Sequence, residues 1–373
     1  MQSSDKLVDV CIRGAGIVGR ALALSLSRQG LSVALAAPAE HAAGREDVSA
    51  YALNPTSVAL LQSLKVWDAL PADARTAVFD MRVQGDAGTA LLRFSAWQQQ
   101  VRELAWIVDA AALEAELAAA VRYAPHVSIT TEATAASLLV LAEGKASATR
   151  EQLGVVVRSH DYGQRAIAAR LATDVAHAGL ARQWFRAPDV LALLPIDRPV
   201  REHGLALVWS LPEEQAQALL ALADSDFEAA LMRATGGDAG MLRLVGARAS
   251  WPLLLAQAEP VHGPGWVLLG DAAHVVHPLA GQGLNLGLGD VVALTCVLAQ
   301  REPWRAPGDA LLLERYARER ALPVQAMATL TDGLLRLFAH PAPWARELRN
   351  RGLGLVNAAT PIKRWLAARA LGQ

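Results

Sequence analysis

The chain has 373 residues, 53% hydrophobic and 19% charged, with a formal net charge of -1. That length suggests two domains with ample apolar material for a core, and the near-neutral balance argues against a nucleic-acid partner held through phosphates. No run approaches the apolar length of a membrane span, and the first seven residues lack the apolar core of a signal peptide. Cys11 and Cys296 read as thiols rather than a disulfide or a metal site. A cytoplasmic setting is expected.

Residues 8–13 are a predicted strand, Gly14-Ala15-Gly16-Ile17-Val18-Gly19 is a G-x-G-x-x-G, and 20–29 are a predicted helix. Gly30-Leu31-Ser32 then turns the chain into a second strand at 33–36. This is a βαβ unit that lays a pyrophosphate across a helix N-terminus, with Gly14, Gly16 and Gly19 as its glycines. Ala21, Ala23 and Ser25 are small enough for the helix to sit close on its sheet. Residues 78–97 alternate and turn at Gly85-Asp86-Ala87-Gly88, a hairpin signal. An alanine-rich helix at 109–123 precedes strands at 127–130 and 137–141. Beta-rich runs at 155–158, 190–194 and 205–209 follow, with an amphipathic helical stretch at 213–234. Residues 306–373 read as helices. Within them 361–369 is a basic helix carrying Trp365 and Leu366, expected to pack on the body of the protein, with a membrane interface as the alternative.

The richest stretch is Gly270-Asp271-Ala272-Ala273-His274, followed by Pro278-Leu279-Ala280-Gly281-Gln282-Gly283-Leu284-Asn285. It predicts a strand at 266–269, a tight small-residue turn bearing one carboxylate, and a helix starting near Leu284. Small residues at 272, 273, 280, 281 and 283 admit a flat ligand to the backbone. The helix start offers it unpaired N–H groups and a partial positive charge, which suits a ring that becomes anionic on reduction, such as a flavin. Asp271 has the strongest functional claim, whereas His274 and His277 are read as structural groups of the turn at least as readily. Arg182 or Arg186 could face a substrate, with a solvated edge as the expected place. No His/Cys cluster has metal spacing, and there is no G-x-S-x-G nucleophile elbow.

These two elements together resemble the flavoprotein hydroxylases of the p-hydroxybenzoate hydroxylase fold, most of all their ubiquinone-biosynthesis branch (UbiH, UbiF and UbiI-like). Asp47, Ala52-Leu53-Asn54-Pro55-Thr56-Ser57 and Leu64-Lys65-Val66-Trp67-Asp68 are similar to that branch's second segment. Leu194-Pro195-Ile196-Asp197, Val208-Trp209, Trp251-Pro252-Leu253 and Thr331-Asp332-Gly333-Leu334 extend the likeness over nearly the whole chain. The resemblance implies an α/β fold: a Rossmann-like FAD-binding domain (1–77, 98–154 and 256–305) interleaved with a β-sheet substrate domain (78–97 and 155–255), and C-terminal helices (306–373). It implies FAD as cofactor, with Gly14, Gly16, Gly19, Glu40, Glu114, Glu143, Gly270, Asp271 and Asn285 as binding residues. Pro278, Gly281, Gln282 and Gly283 would position the flavin ring.

The implied reaction is NAD(P)H-dependent monooxygenation of a phenolic, polyprenylated ring by O2, through a flavin C4a-hydroperoxide. The substrate also suggests peripheral contact with the inner face of the membrane, or with a quinone-biosynthesis complex. Several positions depart from the family pattern. Ala37 stands where an acid binds the adenosine ribose, with Glu40 as the stand-in; losing one charged hydrogen bond costs ~1.5–3 kcal/mol. Ser49 replaces an arginine expected beside the flavin, Glu143-Gly144 replaces Asp-Gly, Asp109-Ala110 replaces Glu-Asn, and Glu114 replaces a Gln. Residues 131–136 alone join two strands that a short β-meander normally separates. Three classes are weighed: the hydroxylase first, a non-catalytic assembly partner second, and third another flavin enzyme such as a halogenase or prenyl reductase. The Trp-x-Trp-x-Ile-Pro block of a halogenase does not occur.

Overall fold

The structure is a computed structural model that describes residues 7–37, 48–85, 91–276 and 282–339. The first βαβ unit sits where the sequence pattern puts it, with strands Val8–Arg13 and Val33–Ala36. Its helix, Ile17–Ser27, starts three residues before the expected position because the glycine motif itself supplies the first turn. The strands lie side by side in parallel, Val10 opposite Val33 and Arg13 opposite Ala36. Around them a six-stranded sheet runs in the order His262–Gly263, Trp266–Leu268, Ala136–Leu141, Val8–Arg13, Val33–Ala36, Val127–Thr130. Every pairing in it is parallel except that of the first two. Helices Ala110–Arg122 and Gln282–Ala299 pack against the first helix. Their apolar faces share one core with Leu22, Leu26, Leu113, Leu117, Leu294 and Leu298.

Strands Ala50–Leu53, Ala105–Asp109 and Arg75–Val78 form a separate antiparallel sheet that the sequence pattern does not announce. Short runs such as these carry too little periodicity to be told from loop. Helix caps mark its exits: Asn54 accepts from Ser57 N–H at the start of Pro55–Ser63, and Asp109 accepts from Ala112 N–H at the start of Ala110–Arg122.

The eight-stranded sheet is the second main layer. Its order is His274–Val275, Leu242–Glu259, Val156–Thr173, Gly204–Pro212, Asp189–Pro195, Leu180–Arg186, Asp80–Gln84, Leu91–Ser95. The run read at 155–158 is one end of an 18-residue strand, and its partner Leu242–Glu259 is equally long. The hairpin predicted at 78–97 supplies the last two strands of this sheet, while its tip falls outside the described residues. The stretch 213–234 is two helices, Glu213–Leu220 and Asp224–Thr235, rather than one. They cover the sheet's outer face, where Trp184, Leu191, Leu193, Leu205, Leu207 and Trp209 pack on Phe227 and Leu231. A 30-residue helix, Ala310–Ala339, closes the described chain. Among the described residues no helix is long and apolar enough to cross a membrane. The basic stretch 361–369 lies outside the described residues.

Candidate functional site

A cavity of about 610 Å³ lies between the parallel sheet and the inner face of the eight-stranded sheet. One end of it is built from backbone. Gly16, Ile17 and Val18 border it from the first helix, and Gly283, Leu284 and Gly287 from the helix Gln282–Ala299. Gly16 is the N-cap of its helix and offers no side-chain cap, so the free N–H groups there are open to a ligand. Gly14 supports this from beneath. Its φ of +109° is accessible to glycine, and a Cβ there would strike the Ala142 carbonyl.

The Gly270–Ala272 turn projects Asp271 into the same end. Gly270 has φ +59°. The turn is held by buried Asp290, whose Oδ2 accepts from Gly270 N–H and from His274 Nε2, both at 2.8 Å. Its Oδ1 accepts from Arg320 Nε at 2.7 Å, and Arg320 also donates to the Leu286 carbonyl. From the other side the buried Arg150 guanidinium donates to the Ala272 carbonyl at 2.8 Å and the Lys145 carbonyl at 2.9 Å.

These contacts set the charges. Burial works to lower the His274 pKa, but the Asp290 carboxylate overrides it and lifts the imidazole above its ordinary value. Burial likewise pushes Asp290 up, and His274 with Arg320 pulls it below the usual carboxylate range. His274 is therefore a structural member of the turn. Asp271 differs: desolvation raises its pKa against the opposing charges of Lys145 and His274, and it makes no hydrogen bond to any described residue. A desolvated carboxylate that faces a cavity without donors needs them from a ligand, and a polyhydroxyl chain provides them.

The remaining predicted residues divide. Glu114 borders the cavity beside Asn54, Gly144 and Lys145. Glu143 lies beneath that turn, its carboxylate occupied by Arg13 Nε at 2.7 Å, Ser147 Oγ at 2.5 Å and Thr149 Oγ1 at 3.0 Å. Burial would raise its pKa, but these donors hold it below the ordinary value. Asn285 is turned toward the Ala50–Leu53 strand; it accepts from Asn54 N–H and Ser57 Oγ and donates to the Ala52 carbonyl. Gly19 packs against the Gly14 carbonyl. Gln282 is the first residue of its helix. Glu40, His277, Pro278 and Gly281 lie outside the described residues.

The other end of the cavity is mostly apolar, bordered by Met81, Phe94, Ala168, Ala192, Leu194 and Val208, with Arg182 and Gln183. Ser49 lies on the wall, and its carbonyl accepts from Arg170 at 2.7 Å. Arg170 in turn forms a buried ion pair with Asp109 at 2.8 Å. An arginine thus reaches the Ser49 position from a different strand. Arg182 is not at a solvated edge. It borders the cavity from the strand Leu180–Arg186, where burial and the neighbouring Arg82 lower its pKa, while Arg186 is exposed. Lys145, Gln183 and the Asp290–Arg320 contact were not singled out in the sequence. Only the Ala-Ile-Ala and Leu-Ala-Leu alternation of 166–168 and 191–193 could have signalled the chamber.

The backbone cradles, Asp271 without a hydrogen bond among the described residues, and the largely apolar chamber fit FAD and a ring substrate. Comparison with known proteins agrees. The family described as "FAD binding domain" matches residues 109–331. The ubiquinone hydroxylase UbiL of Rhodospirillum rubrum is 33% identical, covering 99% of this chain and 91% of its own. The 3-demethoxyubiquinol 3-hydroxylase of Escherichia coli is 29% identical over 98% of each chain. The human mitochondrial ubiquinone biosynthesis monooxygenase COQ6 is 28% identical over 98% of this chain and 93% of its own. In fold, the chain is similar to the p-nitrophenol 4-monooxygenase PnpA of Pseudomonas putida, with TM-score 0.76, 15% identity and 98% of each chain covered.

Proposed function

Because the chain belongs to the FAD-dependent monooxygenases, in the branch of the ubiquinone-biosynthesis hydroxylases, we propose that it hydroxylates a polyprenylated phenol on the way to ubiquinone, with NADH or NADPH as reductant. The relatives' names supply the substrate class. One observation in this chain supports it most. A single cavity joins the helix N-termini and Asp271 at one end to an apolar sheet wall at the other. One atom of O2 enters the ring, the other leaves as water, and the nicotinamide provides the two electrons.

When bound, FAD supplies the redox and oxygen chemistry that no side chain of the protein carries. The protein's own part is binding, orientation and exclusion of water. The uncapped N–H groups after Gly16 would hold the pyrophosphate, and Asp271 would accept from the ribityl hydroxyls. Asp290, Arg320 and Arg150 fix the turn that presents Asp271. Backbone around Gly283 would face the ring, together with Pro278, Gly281 and Gln282. The apolar chamber keeps bulk water from the reacting carbon. A polyprenyl tail partitions into lipid, so the protein would meet its substrate by peripheral contact with the inner face of the membrane.

The test uses the purified, flavin-loaded protein. Bleaching of its absorbance by NADPH or NADH should be faster with a 2-polyprenylphenol present, and the product should gain one oxygen. Flavin that no nicotinamide or flavodoxin-type donor reduces, with no oxygenated product, would point instead to an assembly role.

A further inference from the structure

The paired strands Asp80–Gln84 and Leu91–Ser95 end the eight-stranded sheet, and their two faces differ in chemistry. Met81 and Phe94 lie opposite each other and border the cavity. The next pair is Arg82 opposite Arg93, on the other face because successive residues point to opposite sides. Both arginines are exposed. Pairing with the strand Leu180–Arg186 sets Arg182 beside Arg82, so three arginines stand in one row across three adjacent strands. At a strand spacing of about 4.8 Å, three positive charges start within roughly 10 Å of one another. Arg182 is half-buried and borders the cavity; burial and the Arg82 charge lower its pKa, and its Nε is buried without a hydrogen-bond partner. The acid it feels is Asp238, which accepts from Gln84 Nε2 at 2.8 Å. One charge suffices to guard an edge strand, whereas like charges directly opposite cost stability unless an anion is supplied. Two aromatic side chains stand at the end of the same strands. Trp97 is 88% exposed and Phe79 47% exposed, and Ala96 N–H, next to Trp97, donates to the Phe79 carbonyl at 2.8 Å.

From this juxtaposition we propose that the Asp80–Ser95 edge is the surface by which the protein docks on a bilayer of anionic phospholipid. Arg82 and Arg93 meet the headgroup phosphates, and Trp97 and Phe79 enter the interface. The inference rests on the reading of the substrate as a polyprenylated phenol drawn from lipid. Charge complementarity selects the occupant. Basic side chains are attracted to an anionic leaflet, and tryptophan favours the headgroup level, where its ring is half in apolar surroundings and its N–H meets water. A soluble phosphate compound would account for the arginines and leave the aromatic pair unexplained. The same two strands carry the docking face and, through Met81 and Phe94, part of the chamber wall. A ring can therefore occupy the chamber while its tail stays close to the lipid.

Vesicle co-sedimentation tests this with the full chain, flavin-loaded, as wild type, as the double variants Arg82→Gln with Arg93→Gln and Arg82→Lys with Arg93→Lys, and as Trp97→Ser. The vesicles are phosphatidylcholine alone and phosphatidylcholine with phosphatidylglycerol. The wild type should bind the phosphatidylglycerol vesicles more tightly, and less so as salt rises. Each basic residue near such a surface strengthens binding about fivefold, so the double glutamine variant should bind roughly tenfold to thirtyfold more weakly. The double lysine variant should bind like the wild type, because a bilayer reads charge whereas a discrete oxyanion site reads the guanidinium fork. Trp97→Ser should also weaken binding. Flavin content and turnover of a short-chain, water-soluble phenol should stay unchanged in every variant, which separates lost docking from lost folding. Equal binding to the two kinds of vesicle, or full binding by the glutamine variant, would overturn the proposal. Equal losses in the lysine and glutamine variants would overturn it in favour of a soluble phosphate ligand. Turnover of the soluble phenol without vesicle binding removes the docking face and leaves the hydroxylase reading. Arginine-dependent vesicle binding without turnover does the reverse.

Discussion

Replacing Asp290 by asparagine should loosen the turn that carries Asp271 and change how the protein's stability depends on pH. Asp290 is completely buried and accepts from Gly270 N–H, His274 and Arg320. Removing one charge from a buried pair typically costs ~3–5 kcal/mol, because the partner remains buried without its counter-charge. The amide keeps one acceptor oxygen, so the lower figure, about 3 kcal/mol, is the expected loss.

The pH dependence follows from the two shifts. The folded pKa of His274 lies above its ordinary 6.5, so its contribution is complete below that value and is lost as pH rises through the folded pKa. The folded pKa of Asp290 lies below its ordinary 3.8, so its contribution is present above that value and is lost as pH falls through the folded pKa. The pair therefore stabilises most in the weakly acidic range and loses effect toward alkaline pH. In Asp290→Asn burial and Arg320 both favour the neutral imidazole, so stability should rise as pH climbs toward the ordinary 6.5 of His274 and level off above it, rather than fall. Urea unfolding from about pH 5 to about pH 9, with flavin content read by absorbance, measures both effects. Wild-type stability with an unchanged slope would mean that Arg150 alone holds the turn.

Other expectations concern the two ends of the cavity. Asp271→Ala should weaken FAD while leaving the fold near intact, and Asp271→Asn should keep part of the affinity; equal flavin occupancy in both would show that the carboxylate is not a ligand. Ala37→Glu should tighten FAD by roughly tenfold to a hundredfold, the worth of one charged hydrogen bond, in an equilibrium titration. No gain would mean that Glu40 or another group already serves the ribose. Ala168→Leu should intrude on the chamber floor, cut turnover of a phenol and leave flavin content unchanged; normal turnover would place the substrate elsewhere.

Much of the cofactor end was legible because its signals are local. The glycines of 14–19 and the small residues of 270–273 act through their own backbone, so two short runs of neighbouring residues carry the information. The strand at 8–13, the strand at 33–36 and the carboxylate at Asp271 emerge where the pattern puts them. Glu143 and Asn285 show the limit of that logic. Both stand at family positions, yet their side chains are taken up by Arg13, Ser147 and Thr149 in one case and by Asn54 and Ser57 in the other. Residue type and position do not reveal which partner a side chain finds.

The substrate end was less legible because its information is spread across distant strands. Val83, Gln183, Ala192, Val208 and Ala168 fall into one row only when five separate strands pair. The same holds for Asp290, whose partner Arg320 lies thirty residues away on the next long helix. What the sequence did contain was an alternation of alanine with leucine in single strands. Hydrophobic periodicity treats both residues as apolar and so reads such a strand as buried on both faces. Size tells them apart: leucine on one face builds a packed layer, and alanine on the other leaves room. An alanine between large neighbours, as Ala192 stands between Leu191 and Leu193, is therefore as much a sign of a binding chamber as of a core, provided that helices cover the large-residue face.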